Sequence, residues 1–359
     1  MALGTVLTGC SLINEDQSDC GEEVTVDYEI RLVTNMSIEL TTKLGTDVDE
    51  CMAAALRRHL SGIFTDHAND IDLSFYDTAG DSARLHHEQH VMDASQQSYT
   101  IQLPKRDYMH LALANVRDNQ QVTLEGDDHC HLSSLSQTVS ADTISPHNTG
   151  LFAARQPISV REEENQSFDV RLYMANCAAA LVVDPRGHDL SRLRVFATGF
   201  ASAFSVSDSS YVFAPQPPIV RTSFVESDCG DLGAYCSVNF PSREGTPPLT
   251  PPLRGEGSSG ADTSLRGEGS RTRTVIETED PFVAQPGEKA LWAFHTYYNN
   301  MDGSVTETVL GVREPLRAGQ LMIIKAMILD DGSVVTDLPE VGVSVTLDWK
   351  PGNVYHPTL

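Results

Sequence analysis

Basic residues are scarce in this chain: 25 lysines and arginines stand against 50 aspartates and glutamates, a formal net charge of −25 over 359 residues. A surface with that balance repels a phosphate backbone, which counts against nucleic acid as a partner. Aromatics make up only 7% of the residues, yet 40% are apolar, enough for a packed core rather than a disordered chain. No apolar run approaches the roughly 18 residues that a spanning helix needs, so contact with a bilayer must come through a lipid. Catalytic signatures are missing as well: there is no GxSxG elbow, no glycine-rich phosphate loop, no CxxC pair and no HExxH. The expectation is a non-enzymatic protein that needs neither cofactor nor metal.

What is present begins at the N-terminus. Leu7-Thr8-Gly9-Cys10 closes a short apolar stretch, and Ser11-Leu12-Ile13-Asn14-Glu15-Asp16 follows as a polar segment. Small residues, one cysteine and then acids is an order that resembles the lipobox of bacterial lipoproteins. That resemblance implies acylation of Cys10 and a chain tethered to a membrane rather than embedded in it. Nine residues precede Cys10 and none is Lys or Arg, so the true start is expected upstream of Met1. Setting Cys10 aside leaves Cys20, Cys51, Cys130, Cys177, Cys229 and Cys236. Six cysteines allow 15 pairings, among which Cys229 with Cys236 would close a short loop. Free buried thiols are the equal alternative.

Along the chain, Val24, Val26, Tyr28, Ile30 and Leu32 alternate as in a half-buried strand. A helix is expected over residues 47–61, with Thr46 as N-cap, acids in its first turn and Arg57, Arg58 and His59 in its last. Strand alternation then dominates at Ile71, Leu73 and Phe75, at Tyr99, Ile101 and Leu103, and at Leu111 and Leu113. Pro157 and the run Glu162-Glu163-Glu164 interrupt this pattern and place a domain boundary near residue 157. Alternation restarts at Phe168, Val170, Leu172 and Met174. Residues 241–274 are rich in Pro, Gly, Ser and Arg and repeat Leu-Arg-Gly-Glu-Gly-Ser, so they predict a loop that buries no core.

Two hairpins close the chain, one through Asn299-Asn300-Met301-Asp302-Gly303 and one through Asp330-Asp331-Gly332. The last strand has the cleanest alternation, with Val341, Val343, Val345, Leu347 and Trp349 on one face. Two histidine groups stand out, His86-His87-Glu88-Gln89-His90 and His129-Cys130-His131. Neither has metal-ligand spacing, and both read as solvated loop histidines.

Five stretches carry a resemblance that spans roughly residues 7–350. They are Asn14-Glu15-Asp16-Gln17-Ser18-Asp19-Cys20; Leu60-Ser61-Gly62-Ile63-Phe64; Asp70-Ile71-Asp72-Leu73-Ser74-Phe75-Tyr76-Asp77; Leu103-Pro104 with Asp107-Tyr108-Met109-His110-Leu111-Ala112-Leu113-Ala114-Asn115; and Val170-Arg171-Leu172-Tyr173-Met174-Ala175-Asn176-Cys177-Ala178. Their order and spacing resemble the FimB/Mfa2 family, the anchor subunits of type V fimbriae in Bacteroidales.

The resemblance implies a mainly β protein of two transthyretin-like β-sandwich domains in tandem, with one short helix near residues 47–61. Its expected parts are a truncated signal (1–9), a lipidated tether (10–21), an N-terminal sandwich (22–156) and a C-terminal sandwich (157–352) carrying the 241–274 insertion. It further implies an outer-membrane lipoprotein facing the cell surface that binds a fimbrial stalk subunit, a fimbrillin, and limits fimbrial length. The strand from Val341 to Trp349 is then the segment expected to exchange with that subunit, against the alternative that it pairs within its own domain. The rival function is a monomeric surface adhesin or glycan-binding lipoprotein built on the same sandwiches.

Overall fold

The computed structural model describes residues 23–65, 67–79, 83–91, 98–125, 136–139, 141, 143–161, 166–215, 217–243, 290–338 and 341–348. Cys10, Cys20, the tether, His129-Cys130-His131, the acidic run at 162–164, Trp349 and nearly all of the 241–274 segment lie outside these residues.

The first half carries β1 (Glu23–Val33), α1 (Met36–Asp47), α2 (Glu50–Ile63), β2 (Asp70–Asp77), β3 (Arg84–Val91), β4 (Ser98–Pro104) and β5 (Asp107–Ala114). There follow β6 (Val122–Glu125), β7 (Ser136–Val139), β8 (Thr143–Ile144), β9 (Phe152–Ser159), β10 (Ser167–Met174), β11 (Cys177–Asp184), β12 (Leu193–Thr198), β13 (Ala203–Ser205) and β14 (Ser210–Val212). The chain ends with β15 (Ile219–Arg221), β16 (Ser223–Glu226), β17 (Gly233–Asn239), β18 (Trp292–Asn299), β19 (Val305–Val312), β20 (Leu321–Ile328), β21 (Val334–Val335) and β22 (Val341–Asp348). Among the described residues the protein is thus mostly β, as expected, with two α-helices rather than one.

Four sheets result. A seven-stranded sheet runs β3-β2-β5-β9-β10-β1-β4, a five-stranded one β16-β17-β11-β20-β21, a six-stranded one β22-β19-β18-β12-β15-β8 and a four-stranded one β14-β13-β7-β6. One face of the seven-stranded sheet, through Leu111 and Leu113, packs on Phe204 and Val206 of the four-stranded sheet region. Its other face, through Tyr28, Leu73 and Leu172, packs with Met36, Leu40 and Leu44 of α1, with Met52, Leu56 and Leu60 of α2, and with Ala178, Ala180 and Ile323 of the five-stranded sheet. The opposite face of that five-stranded sheet, through Ala179, Leu181 and Ile324, meets Val195, Phe294 and Leu310 of the six-stranded sheet. β11 is therefore covered on both sides. This explains its unbroken apolar run Cys177-Ala178-Ala179-Ala180-Leu181-Val182-Val183 and its parallel pairing with β20.

The domain boundary expected at residue 157 does not hold. Pro157 sits inside β9, paired with Met109, and β10 pairs in parallel with β1, so the first sheet continues to Met174. The proline is tolerated because β10 pairs with β9 only at Ala153 and Phe152, leaving that edge of Pro157 without a ladder to supply. The halves also exchange strands. β8 pairs with β15 in the six-stranded sheet, and β13 pairs with β7 in the four-stranded one.

Two further expectations are corrected. Thr46 is not the cap of the expected helix; it lies near the end of α1, where its hydroxyl donates to the Thr42 carbonyl. The true cap of α2 is Asp49, whose Oδ1 accepts the Met52 amide at 3.1 Å. Cys229 does not pair with Cys236. It forms a disulfide with Cys51 of α2 across 178 residues, with the Cα atoms 5.7 Å apart. Cys229 lies in the turn after β16, whereas Cys236 sits mid-strand in β17 with its side chain in the core, so the two thiols cannot meet. Arg58 of α2 adds a two-pronged contact to Asp228, with Nη2–Oδ2 at 2.7 Å and Nη1–Oδ1 at 3.2 Å.

Candidate functional site

β22 stands at the outer end of the six-stranded sheet and has one neighbour, β19. Their antiparallel ladder is complete over eight pairs, from Val305 opposite Asp348 to Val312 opposite Val341. Of the five residues expected on one face, Val341 is fully buried and Val343 packs against the second core. Val345 stands opposite Thr308 and Leu347 opposite Thr306. Beneath them β19 alternates, with Thr306, Thr308, Leu310 and Val312 buried. The second edge of β22 faces no strand among the described residues. A free row of main-chain donors and acceptors is a template for strand addition, and apolar side chains at every second position supply its specificity.

The histidines of the 86–90 group are not loop residues. His86, His87 and His90 all lie in β3, at the opposite edge of the seven-stranded sheet. Glu88 bridges two of them, with Oε1 2.6 Å from His86 Nε2 and Oε2 2.7 Å from His90 Nε2. His87 Nε2 and Gln89 Nε2 both reach Asp72 Oδ2 at 2.8 Å. An edge strand carrying polar groups on both faces resists unwanted pairing, whereas the β22 sequence has an apolar residue at every second position. Among the described residues no group of three or more His, Cys, Asp or Glu is placed to hold a metal ion.

Buried titratable groups are present, and one of them, His110, is hydrogen-bonded to the buried Tyr28 hydroxyl. His110 is pushed down to about 4 and His147 to about 3, in both cases because burial disfavours the charged ring. Burial raises the Cys236 thiol to about 12 and raises the Cys177 thiol further. Cys177 Sγ points at the carbonyls of Asn239 and Phe240, a satisfied thiol inside the fold.

The class defined by these observations is a β-rich protein with two stacked cores and an apolar open sheet edge. Residues 49–198 match the model of the family described as fimbrillin-A associated anchor proteins Mfa1 and Mfa2, a stretch shorter than half of the chain. The match bears out the resemblance read from the sequence. No curated protein sequence matches. Among solved structures, a candidate adhesin from Bacteroides ovatus is similar at 12% identity, 94% of this chain, 99% of that one and a TM-score of 0.49. The fimbrial anchor protein Mfa2 from Porphyromonas gingivalis is similar at 10% identity, with 60% of this chain, 73% of that one and a TM-score of 0.40. The tip fimbrial protein Mfa3 from the same organism, with a C-terminal truncation, aligns over 91% of this chain and 98% of that one at 9% identity and a TM-score of 0.39.

Proposed function

We propose that this chain is a non-enzymatic anchor of a surface fimbrium. Cys10 carries the lipid that holds it in the outer membrane, facing the cell surface, and β22 is the segment exchanged with the first stalk subunit. The observation that carries the reading is the match of residues 49–198 to a family described as anchor proteins. The position of β22 supports the mechanism: it stands at a sheet end and a single ladder holds it, so its release disrupts no second neighbour. A strand of alternating apolar residues then completes the neighbour's sheet, and an anchor that offers no further exchange segment ends the polymer.

The test is a native pulldown of the tagged chain from outer-membrane extract. A fimbrial stalk subunit should copurify in a complex that survives SDS and dissociates on heating, and truncation after residue 340 should abolish it. Copurification with the truncated chain would remove β22 from the mechanism. A deletion strain whose fimbriae stay attached and of normal length would overturn the anchor reading in favour of an adhesin. For the tether, Cys10→Ala should lose both clickable-palmitate label and membrane retention.

A further inference from the structure

β4 stands at one end of the seven-stranded sheet, beside β1. Its sequence alternates, so Tyr99, Ile101 and Leu103 turn toward the core while Ser98 and Thr100 are exposed. The register lines polar residues up across three strands. Thr100 of β4 and Ser167 of β10 are both partners of Asp27, and Ser98 is the partner of Glu29. On the β4 side His90 of β3 closes the row: its ring stacks on Tyr99, with centroids 5.1 Å apart and 29° between the planes. That ring is held in place. Glu88 Oε2 lies 2.7 Å from His90 Nε2, while Glu88 Oε1 lies 2.6 Å from His86 Nε2. His86, Glu88 and His90 share one face of β3 because strand side chains alternate. The histidine group, which lacks metal-ligand spacing, thus orients one wall of a site.

These strands line an open cleft of about 630 Å³. The volume lies within the range of organic ligand sites, about 300–1,000 Å³. Its polar lining mixes two kinds of group. The hydroxyls of Ser98, Thr100 and Ser167 both donate and accept, whereas the carboxylates of Asp27 and Glu29 accept only. Among the described residues no lysine or arginine lines the cleft. Arg31, outside it, reaches Glu29 at 3.2 Å and Asp169 at 3.5 Å. Glu29 is therefore matched, and Asp27 is left as an exposed carboxylate with no ion pair among the described residues.

The chemistry selects the occupant. An anion meets no cationic side chain in the lining and approaches a chain of net charge −25. A metal ion finds no three ligands placed for it among the described residues. A cationic side chain would gain one exposed carboxylate, and exposed ion pairs contribute little. An apolar ligand would strip water from hydroxyls and carboxylates and give them no partner. A neutral sugar fits each part. Its hydroxyls match groups that donate as well as accept, and the C–H face of its ring has a flat aromatic wall in the Tyr99–His90 stack. We infer that this cleft is a binding site for a neutral saccharide. The inference does not rest on the anchor reading.

The test exposes the full chain to an array of neutral, acidic and amino-sugar glycans, with a hexapeptide array beside it. A neutral glycan should be selected, with affinity unchanged between about 50 and 500 mM salt. Asp27 is exposed, so Asp27→Ala should leave the melting temperature unchanged. Tyr99→Leu keeps an apolar contact with the core and removes the flat ring. Each should weaken the selected glycan about tenfold. Should Tyr99→Leu melt early, Asp27→Ala decides the matter by itself. No glycan bound, equal binding by both variants, or selection of charged glycans that salt releases would overturn the inference. A hexapeptide selected instead, and weakened by Asp27→Ala, would reassign the cleft to peptides.

Discussion

The junction of the two cores and the rim formed by β22 and the hairpin tips at Met301 and Asp331 are built on opposite principles. At the junction β11 is covered on both faces, helices fill the space between sheets, and a disulfide with an adjacent ion pair fastens α2 to the turn after β16. At the rim one ladder holds β22, the tips enclose open space rather than side chains, and Met301 stands in solvent. The junction has the construction of a part that bears load without changing shape. The rim leaves a main-chain edge, charge and an exposed methionine open, as the exchange proposed above would require.

Removing atoms from the junction should break this contrast most directly. Leu181→Ala in β11 should cost about 4 kcal/mol in chemical denaturation, because the site is closed on both faces and cannot collapse. Replacing Cys51 and Cys229 by serine together should cost about 3 kcal/mol, with the reduced wild type matching the variant. Acid should act on buried histidines. His147 and His110 are depressed in the fold, to about 3 and about 4. The unfolded chain therefore binds more protons below about pH 6.5, and stability falls as pH drops from there toward those values. The slope is at most ~1.4 kcal/mol per pH unit for each ring, and His147→Phe should flatten it in a pH series of urea midpoints. Asp49→Ala should cost about 1 kcal/mol through loss of the α2 cap. Met301→Ala at the rim should stay within about 0.5 kcal/mol of wild type, and a larger loss there would erase the contrast.

Much of the strand content was legible because alternation is local. β1, the hairpin of β18 and β19, and β22 follow from period-two patterning and Gly-containing turns. α2 was legible through Asp49 and Glu50 at its start and its apolar stripe at Met52, Leu56 and Leu60, although Arg57, Arg58 and His59 fall short of its last turn. α1 was not legible. Its stripe is only Met36, Leu40 and Leu44, its other positions include Thr41, Thr42, Gly45 and Thr46, and Asn35 makes no side-chain cap bond. The acids after Pro157 resemble a linker because a local window cannot reveal that β10 joins β1 across 140 residues, as in the pair Ile30–Val170. The Cys51–Cys229 bond was hidden for the same reason. At the rim, Asp302-Gly303-Ser304 and Asp331-Gly332-Ser333 each read as a turn, while their meeting, where Thr306 Oγ1 donates to the Asp331 carbonyl, depends on how two hairpins stack.

The exchange of strands between the halves also fixes an order in time. Tyr28 of β1 shares a core with Leu321 and Ile323 of β20, and β8 waits for β15. The first half therefore has no finished interior until the last quarter of the chain arrives. Folding cannot proceed vectorially from the N-terminus, and pairings this distant in sequence make it slow.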